Sequence, residues 1–415
     1  MPAAERATRI AHAGRLLGST TLEGLDPEAF CHLHVQATGL PLKAASGALE
    51  MLGISMQKIE EALHRQIPGE ALEALDTDRI SDYAWVPCGE VMGLVAPNNN
   101  PQVHFTWVLA LALGWSALVR PGSNEIFMPY RIYAALREAG FPTERVAVVP
   151  GPHELVPNLI ATADRTVLYG GQEAVEQFGS NPRVKVHGPG RCMILVDLDE
   201  SVAQTHIDGA AACVVESVLY DGGIKCTNAS GLVIRGGGPR DSPGTPTHTF
   251  LERIGQRLAQ VEPRHPLDPE AELATFKNPS VASSCSAAVN AGLAPDDTVL
   301  TGDARPVTTP DGTFLLPMLV CCGTTESPLF RRELPFPFLT AVTLPADADP
   351  LPLLHDALAL TLITEDKELL WRCLRAPATR KVFRGLVPTW RSVPGGPHEG
   401  LLSRFLFAEK GFCEE

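Results

Sequence analysis

One segment of the sequence combines a cysteine with small residues that let the backbone approach a sulfur atom closely. Leu219 to Gly231 reads LYDGGIKCTNASG, so that Cys226 follows a glycine pair and the cation Lys225. A thiolate attacks carbonyl carbon well, and nearby N–H groups or a positive charge favour the charged sulfur. We therefore predict that Cys226 is a nucleophile. The competing interpretation, a small buried hydrophobic side chain, applies to any of the ten cysteines.

A second segment carries amide side chains that such chemistry needs. Residues 89–101 read GEVMGLVAPNNNP, which predicts a strand that ends in three asparagines and a helix whose first residue is Pro101. Buried amides that donate to a developing C–O⁻ stabilise the intermediates of acyl chemistry. The alternative is a polar turn in which Asn100 caps the helix.

Further segments stand in the order found in one known family: LVRPGS at 118–123, HGPGR at 187–191 and ELPFPF at 333–338. Together with the cysteine and asparagine loops, they resemble the aldehyde dehydrogenase superfamily over roughly residues 85 to 415. The resemblance implies an α/β fold with a Rossmann-type cofactor domain. It also implies a second α/β domain that carries the nucleophilic cysteine, and a small oligomerisation hairpin.

The same resemblance implies roles for single residues. Asn99 corresponds to the asparagine that binds the oxyanion, and Glu333 to the glutamate that grips the nicotinamide ribose. The residues expected to contact a nicotinamide cofactor are Pro97, Arg120, Gly122, Ser123, Gly170, Gly171, Gln172, Glu333 and Phe336. Backbone N–H groups at Gly170 and Gly171 suit a pyrophosphate, although an ordinary strand-to-helix turn has the same composition. Phe336 fits either a flat ring or core packing.

Two departures from the family pattern bear on the cofactor and the reaction. Many members have lysine and, three residues later, glutamate where this chain has Arg120 and Ser123. Without that carboxylate a 2′-phosphate is not repelled, so NADP is favoured slightly over NAD. Hydrolytic members carry the base that activates water in a Glu-Leu-Gly-Gly segment, and here His187-Gly-Pro-Gly-Arg191 replaces it. His187 as a base is the alternative to a structural or substrate-contact role.

The missing carboxylate indicates the acylating branch of the superfamily. We predict NAD(P)H-dependent reduction of an acyl thioester of coenzyme A or a carrier protein to an aldehyde, or the reverse acylating oxidation. One alternative is an acyl-phosphate reductase, since GRCMILVD at 190–197 and CTNA at 226–229 also resemble glutamyl phosphate reductase. Oxidation of an aldehyde to an acid, and a catalytically inactive scaffold of the same fold, are the others.

Composition narrows the partners and the compartment. A net charge of −14 without a basic stripe argues against a nucleic-acid partner. The ten cysteines form no C-x-x-C pair and no His/Cys cluster at metal spacing, so we expect no metal site. The longest apolar run, 105–119, is short for a membrane span. The N-terminus lacks a secretion signal, which predicts a cytoplasmic protein.

The chain divides into four predicted regions. Residues 1–75 form the helical N-terminal part of the cofactor domain, and 76–90 form the oligomerisation hairpin together with 391–415. Residues 91–197 form the NAD(P)-binding domain, with strands at 91–95, 117–120, 145–149, 166–169 and 193–196, and 198–390 form the catalytic domain. An exposed strand edge that carries Tyr83 and Trp85 needs a covering chain, which predicts a homodimer or homotetramer.

Overall fold

The computed structural model describes residues 1–67, 72–75, 83–199, 203–303 and 305–411. These residues form two compact α/β units. The first unit contains 1–38, 45–188 and 392–415, and the second contains 39–44 and 189–391. None of the described helices is long and apolar enough to cross a membrane.

The first unit is built on a parallel sheet of five strands. The strands of the whole unit are β1 (Tyr83–Pro87), β2 (Val91–Val95), β3 (Ser116–Arg120), β4 (Val146–Val148), β5 (Arg165–Tyr169), β6 (Val184–His187) and, late in the chain, β16 (Phe407–Gly411). β1 and β16 form a separate two-stranded sheet. The five-stranded sheet has the order β4-β3-β2-β5-β6. The order reverses between β2 and β5, and ligands of such sheets bind beyond the carboxyl ends of the strands at that point.

Helices cover this sheet, as the alternation of strand and helix patterns predicts. They are α1 (Ala3–Leu17), α2 (Pro27–Thr38), α3 (Leu42–Gln57), α4 (Ile59–Gln66), α5 (Phe105–Ala112), α6 (Phe127–Glu138), α7 (Val156–Thr162), α8 (Gln172–Phe178) and, near the C-terminus, α14 (Ser403–Leu406). The helix predicted from Pro101 begins with a 3-10 turn, Pro101–His104, before α5. The nearly all-apolar α5 is buried over six of its residues, which explains why it has no polar face.

One predicted strand belongs to the other unit. Residues 193–196 lie within Cys192–Leu198, which is part of the second sheet, whereas Val184–His187 completes the first sheet. The VKVH strand alternates valine with a polar residue, but four residues are too few for the alternation to give a clear strand signal. The two units therefore divide between Gly188 and Pro189 rather than after residue 197.

The strand carrying Trp85 pairs within the chain. β1 and β16 form an antiparallel pair, and the ring of Trp85 stacks on Phe407 with centroids 4.1 Å apart. Residues 76–82 of the predicted hairpin lie outside the described residues. The tail begins its strand only at Phe407, because Ser403–Leu406 forms a helical turn. Assembly with a second chain stays a prediction.

The second unit contains a seven-stranded sheet and a hairpin. Its strands are β7 (Cys192–Leu198), β8 (Ala229–Gly236), β9 (Thr298–Val299), β10 (Pro306–Thr309), β11 (Gly312–Leu315), β12 (Met318–Cys321), β13 (Phe338–Leu344), β14 (Ala359–Ile363) and β15 (Lys381–Arg384). Its helices are α9 (Gln204–Leu219), α10 (Pro246–Ala259), α11 (Pro279–Gly292), α12 (Leu351–Leu354) and α13 (Lys367–Arg375). β10 and β11 form the hairpin predicted around Pro310.

The direction of the strands places the cysteine loop. The order is β15-β14-β7-β8-β13-β12-β9, and the described neighbours run parallel except for β9. The loops before β7, β8 and β13 therefore meet at one edge, since the amino ends of parallel strands lie together. Cys226 precedes β8 and Glu333 precedes β13.

Candidate functional site

Gly190 is in contact with both Cys226 and Glu333. A Cβ atom on Gly190 would overlap the carbonyl oxygen of Cys226 and lie 2.7 Å from its carbonyl carbon. The Gly190 N–H in turn donates to Glu333 Oε2 at 2.5 Å. Only glycine therefore fits at residue 190, and it connects the cysteine loop to the Glu333 loop.

Buried hydrogen bonds fix the chain on both sides of the cysteine. Asn228 Oδ1 accepts from the Lys225 N–H at 2.7 Å, and its Nδ2 donates to the carbonyl groups of Ser217 and Tyr220, each at 3.0 Å. The Thr389 hydroxyl donates to the Thr227 carbonyl at 2.7 Å. Cys226 itself is half-buried. Its sulfur thus sits on a fixed backbone, and sequence inspection missed both Asn228 and Thr389.

Lys225 has a different role from the one expected. Its buried ammonium pairs with Asp221 and lies 4.9 Å from the centroid of the Tyr220 ring. Because Asp221 neutralises that charge, Lys225 stabilises the turn rather than supplying a net positive charge to Cys226. The turn needs Gly222 and Gly223 because both have positive φ angles, 83° and 70°.

Cys192, at the start of β7, forms a hydrogen bond to the backbone of the cysteine loop. Its thiol donates to the Cys226 carbonyl at 3.1 Å. Burial raises the pKa of Cys192 well above its usual range, and neighbouring Cys226 and Glu333 raise it further. Cys192 therefore stays protonated and acts as a hydrogen-bond donor, not as a nucleophile.

Glu333 lies at the same edge as the cysteine. Its carboxylate accepts from the Gly190 N–H and, at 3.4 Å, from the Arg191 N–H. Burial raises the pKa of Glu333, and these two N–H groups oppose the rise. Phe336 is 2% exposed and packs 5.6 Å from Phe338, centroid to centroid. That burial favours core packing for Phe336, and its cofactor contact stays a prediction.

The asparagine loop lies at the carboxyl edge of the first sheet. Asn98 Oδ1 accepts from the Asn124 N–H at 2.8 Å, and Asn100 Oδ1 accepts from the Gln102 N–H at 3.1 Å, which confirms the predicted cap. A Cβ atom on Gly122 would lie 2.5 Å from Asn98 Oδ1. The loops after β2 and β3 are thus in direct contact, and half-buried Asn99 lies between the two anchored asparagines.

A buried carboxylate anchors the same loops to the helices. Glu125 is fully buried; its Oε1 lies 3.2 Å from His34 Nε2 and its Oε2 lies 2.5 Å from His104 Nε2. Trp107 Nε1–H donates to His104 Nδ1 at 3.2 Å, so the Nε2 of His104 carries the proton shared with Glu125. The network joins α2 to the loop after β3 and to the 3-10 turn before α5.

This edge fits a dinucleotide cofactor. The loops after β2 and β5 flank the point where the strand order reverses, and a side chain at Gly171 would meet no atom within 4 Å. Gly170 and Gly171 lead directly into α8, which begins at Gln172. Arg120 is buried and donates two of its five N–H groups to the carbonyls of Pro121 and Pro152. Ser123 is exposed.

His187 contacts a carboxylate from a distant part of the chain. Its Nδ1 lies 3.0 Å from Oε1 of Glu399, which is 212 residues further on. His187 is 6% exposed, and its ring packs 4.8 Å from Tyr169 and 4.9 Å from His398, centroid to centroid. The sequence segment 187–191 contains no carboxylate, so this pairing has no local signal.

The strand-order reversal of the first sheet and the cysteine loop of the second unit define a two-unit α/β protein with a Rossmann-type sheet. The chain belongs to the aldehyde dehydrogenase family, whose model matches residues 1–376. The predicted superfamily is therefore confirmed. The family match begins at the N-terminus rather than near residue 85.

The relatives that match this chain are distant. Malonate-semialdehyde dehydrogenase 1 of Geobacillus kaustophilus is 24% identical over 326 residues, 75% of this chain and 63% of the relative. Aminoacetaldehyde dehydrogenase of Pseudomonas aeruginosa is 25% identical and is covered over half its length. The chain thus spans less than two thirds of these relatives.

Solved structures show the same fold. The NAD-dependent aldehyde dehydrogenase of Sinorhizobium meliloti superposes with a TM-score of 0.80 at 18% identity, covering 99% of this chain and 82% of that one. PnpE of Pseudomonas sp. WBC-3 gives 0.78 at 19% identity, covering 99% and 85%. The predicted α/β architecture, a Rossmann-type domain plus a second α/β domain, is confirmed.

Proposed function

We propose that the protein is an NAD(P)-dependent oxidoreductase that interconverts an aldehyde and an acyl group held on Cys226 as a thioester. The observation that carries this proposal is the cysteine loop. Its backbone is fixed by Asn228 and Thr389, its carbonyl accepts from Cys192, and it leaves Cys226 half-buried. A positioned thiol with a rigid surrounding loop suits nucleophilic attack on carbonyl carbon.

Reduction of an acyl thioester is the reaction we favour. The Cys226 thiolate attacks the carbonyl carbon of the thioester, and the oxyanion accepts from the Asn99 amide and the Cys226 N–H. Collapse expels the thiol of coenzyme A or of a carrier protein and leaves the acyl group on Cys226. A bound NAD(P)H supplies the hydride. The thioacyl carbon accepts this hydride, and the resulting thiohemiacetal alkoxide collapses to free aldehyde and releases the Cys226 thiolate. Residues 187–191 favour this route because HGPGR contains no carboxylate to activate water.

The cofactor-binding residues proposed for this reaction come from both sheets. Those at the carboxyl edge of the first sheet are Pro97, Arg120, Gly122, Ser123, Gly170, Gly171 and Gln172, and Glu333 and Phe336 belong to the second unit. Arg120 retains three N–H groups beyond the two given to carbonyls, and no carboxylate stands at residue 123. We therefore expect NADPH to give a higher kcat/KM than NADH.

Oxidation of an aldehyde to its acid is the second candidate. The observation in its favour is the His187–Glu399 pair: with Nδ1–H donated to Glu399, Nε2 is the basic nitrogen that takes a proton from water. The relatives are named as semialdehyde and aminoaldehyde dehydrogenases, which agrees with this route. The acyl group on Cys226 would then be released by water rather than by a thiol.

One set of assays separates the two reactions. Purified protein is given NADPH or NADH with a panel of acyl-CoA thioesters, and NADP⁺ or NAD⁺ with aldehydes, with and without coenzyme A. Thioester reduction predicts cofactor oxidation in the first assay and a requirement for coenzyme A in the second. Hydrolytic oxidation predicts aldehyde turnover without coenzyme A that His187→Gln removes.

The cysteine variants test the common step. Cys226→Ala should abolish turnover in every assay, whereas Cys88→Ala, a half-buried cysteine outside the site, should not. Iodoacetamide at neutral pH should label Cys226 and leave Cys192 unmodified, because burial keeps Cys192 protonated. Turnover that survives in Cys226→Ala would refute the proposal.

A further inference from the structure

Three side chains of the first unit lie close together, and no metal-binding motif in the sequence contains them. His187, His398 and Glu399 each offer one ligand atom, and these atoms all lie within 4.8 Å of one another. We propose that they form a binding site for a divalent transition-metal ion of the zinc type. The proposal concerns metal binding alone, and its test measures binding rather than turnover.

The ligand types select the class of metal. Two imidazoles and one carboxylate form a common set in zinc sites that keep a fourth position open for water or substrate. Imidazole nitrogen prefers Zn²⁺, Cu²⁺ and Ni²⁺, whereas Mg²⁺ and Ca²⁺ prefer sites made of oxygen atoms alone. The net charge of −14 also favours cations over anions at such a site.

The spacing of the ligand atoms is close to what a metal requires. Metal–ligand bonds of about 2.0–2.2 Å place neighbouring ligands of a tetrahedral ion roughly 3.3 Å apart. His187 Nδ1 and Glu399 Oε1 are already 3.0 Å apart. The largest separation, 4.8 Å, must close by about 1.5 Å, which side-chain rotation of partly exposed His398 and Glu399 provides.

Both ligand-bearing segments are held in place. His187 ends β6, and its carbonyl accepts from the Gly170 N–H at 3.0 Å. The tail is fixed on either side of its two ligands by buried Gln66, whose Nε2 donates to the Gly395 carbonyl at 2.7 Å. Gln66 Oε1 also accepts from the Ser403 N–H at 2.9 Å. One glutamine thus closes the turn that presents His398 and Glu399, and such preorganisation raises metal affinity.

An aromatic ring orients the two imidazoles. Tyr169 lies 4.8 Å from the His187 ring and 6.1 Å from the His398 ring, and the two imidazoles meet edge to face at 74°. The Tyr169 hydroxyl is itself held by Thr106 at 3.1 Å. His187 and His398 are 211 residues apart in the chain, so no motif with short ligand spacing could reveal the site in the sequence.

The test uses full-length protein dialysed against a chelator. Titration with Zn²⁺ by calorimetry should show one equivalent bound, and Co²⁺ should give the visible absorption of a four- or five-coordinate ion. His398→Ala and Glu399→Gln should each weaken binding at least about 10-fold, since loss of even an outer partner of a metal ligand has such an effect. His153→Ala, which removes an exposed histidine of the same unit, should bind like the wild type.

The cysteines make a second readout necessary. Thiolate ligands give Co²⁺ an intense near-ultraviolet charge-transfer band that a His/Glu site lacks, so the spectrum identifies the ligands. Zn²⁺ should also raise the melting temperature of the wild type, because a ligand that binds only the native state stabilises it. This measurement does not depend on how well the variants fold. Absence of stoichiometric binding, a thiolate band, or equal affinity in Glu399→Gln would each overturn the proposal.

Discussion

Gly190→Ala should damage the site more than any other single methyl group added to the cysteine edge. The new Cβ atom would overlap the Cys226 carbonyl oxygen and lie 2.7 Å from the carbonyl carbon. Ordinary contact begins at 3.4 Å, so the backbone carrying Cys226 must move by at least 0.7 Å, the difference of the two distances. Overpacking of this kind costs about 1–3 kcal/mol of stability.

The displacement falls on Cys226, the residue proposed to attack the substrate. Misplacing a reacting group by about 1 Å lowers a rate roughly 100-fold. We expect kcat/KM of Gly190→Ala to fall by about that factor while the melting temperature falls by only a few degrees. The assay is steady-state turnover with acyl-CoA and NADPH, with aldehyde and NADP⁺ as the reverse, beside thermal unfolding of the same sample.

The matched control is Gly47→Ala in α3, where an added Cβ meets no atom within 4 Å. That substitution should leave turnover unchanged and stabilise the helix by about 0.5–1 kcal/mol. Wild-type activity in folded Gly190→Ala would show that the cysteine loop tolerates displacement. The rigid-loop explanation of the site would then be wrong.

Other substitutions should lower or raise the stability of the protein. Glu125→Ala should destabilise the protein by about 3–5 kcal/mol in denaturant unfolding, because it leaves two buried histidines without their partner. Burial raises the pKa of Glu125 but the two histidines lower it more. Its stabilising effect is therefore present above pH 4.5 and is lost as the pH falls below that value. The pKa of Glu333 is raised by burial, so Glu333→Gln should gain stability relative to the wild type as the pH rises from 4 to 7 in thermal melts. Asn228→Ala removes three hydrogen bonds, two of them buried, and should lower both the melting temperature and the rate of Cys226 alkylation. Light scattering should give the mass of a dimer or tetramer.

Features with a local signal could be predicted from the sequence. Val91–Val95 has the bounds expected from its apolar residues, and Asn100 caps the turn that Pro101 begins. Both depend on residues within a few positions of one another, where backbone preference and capping act directly. The cysteine loop was found in the same way, through its glycines.

Features that depend on distant residues could not be predicted. The partner of His187 lies on the tail, and Glu125 receives its two histidines from α2 and from the turn before α5. Polar residues such as these resemble ordinary surface side chains in the sequence, and only the folded chain buries them. The division after Gly188 was missed for a related reason, because sheet membership of a short strand depends on its neighbours in space.

The sequence and the fold around His187, which replaces the family's glutamate, favour different reactions. In the sequence it removes a carboxylate and favours release of the acyl group to a thiol. In the fold, Glu399 places a carboxylate beside the imidazole, and this pair is the one that the proposed hydrolytic route uses as its base. A histidine held this way activates water only when its basic nitrogen is unprotonated, whereas transfer to a thiol needs no such base. Aldehyde turnover without coenzyme A should therefore vanish in His187→Gln. Turnover with coenzyme A should persist in that variant, and a variant that loses both equally would assign His187 a structural role.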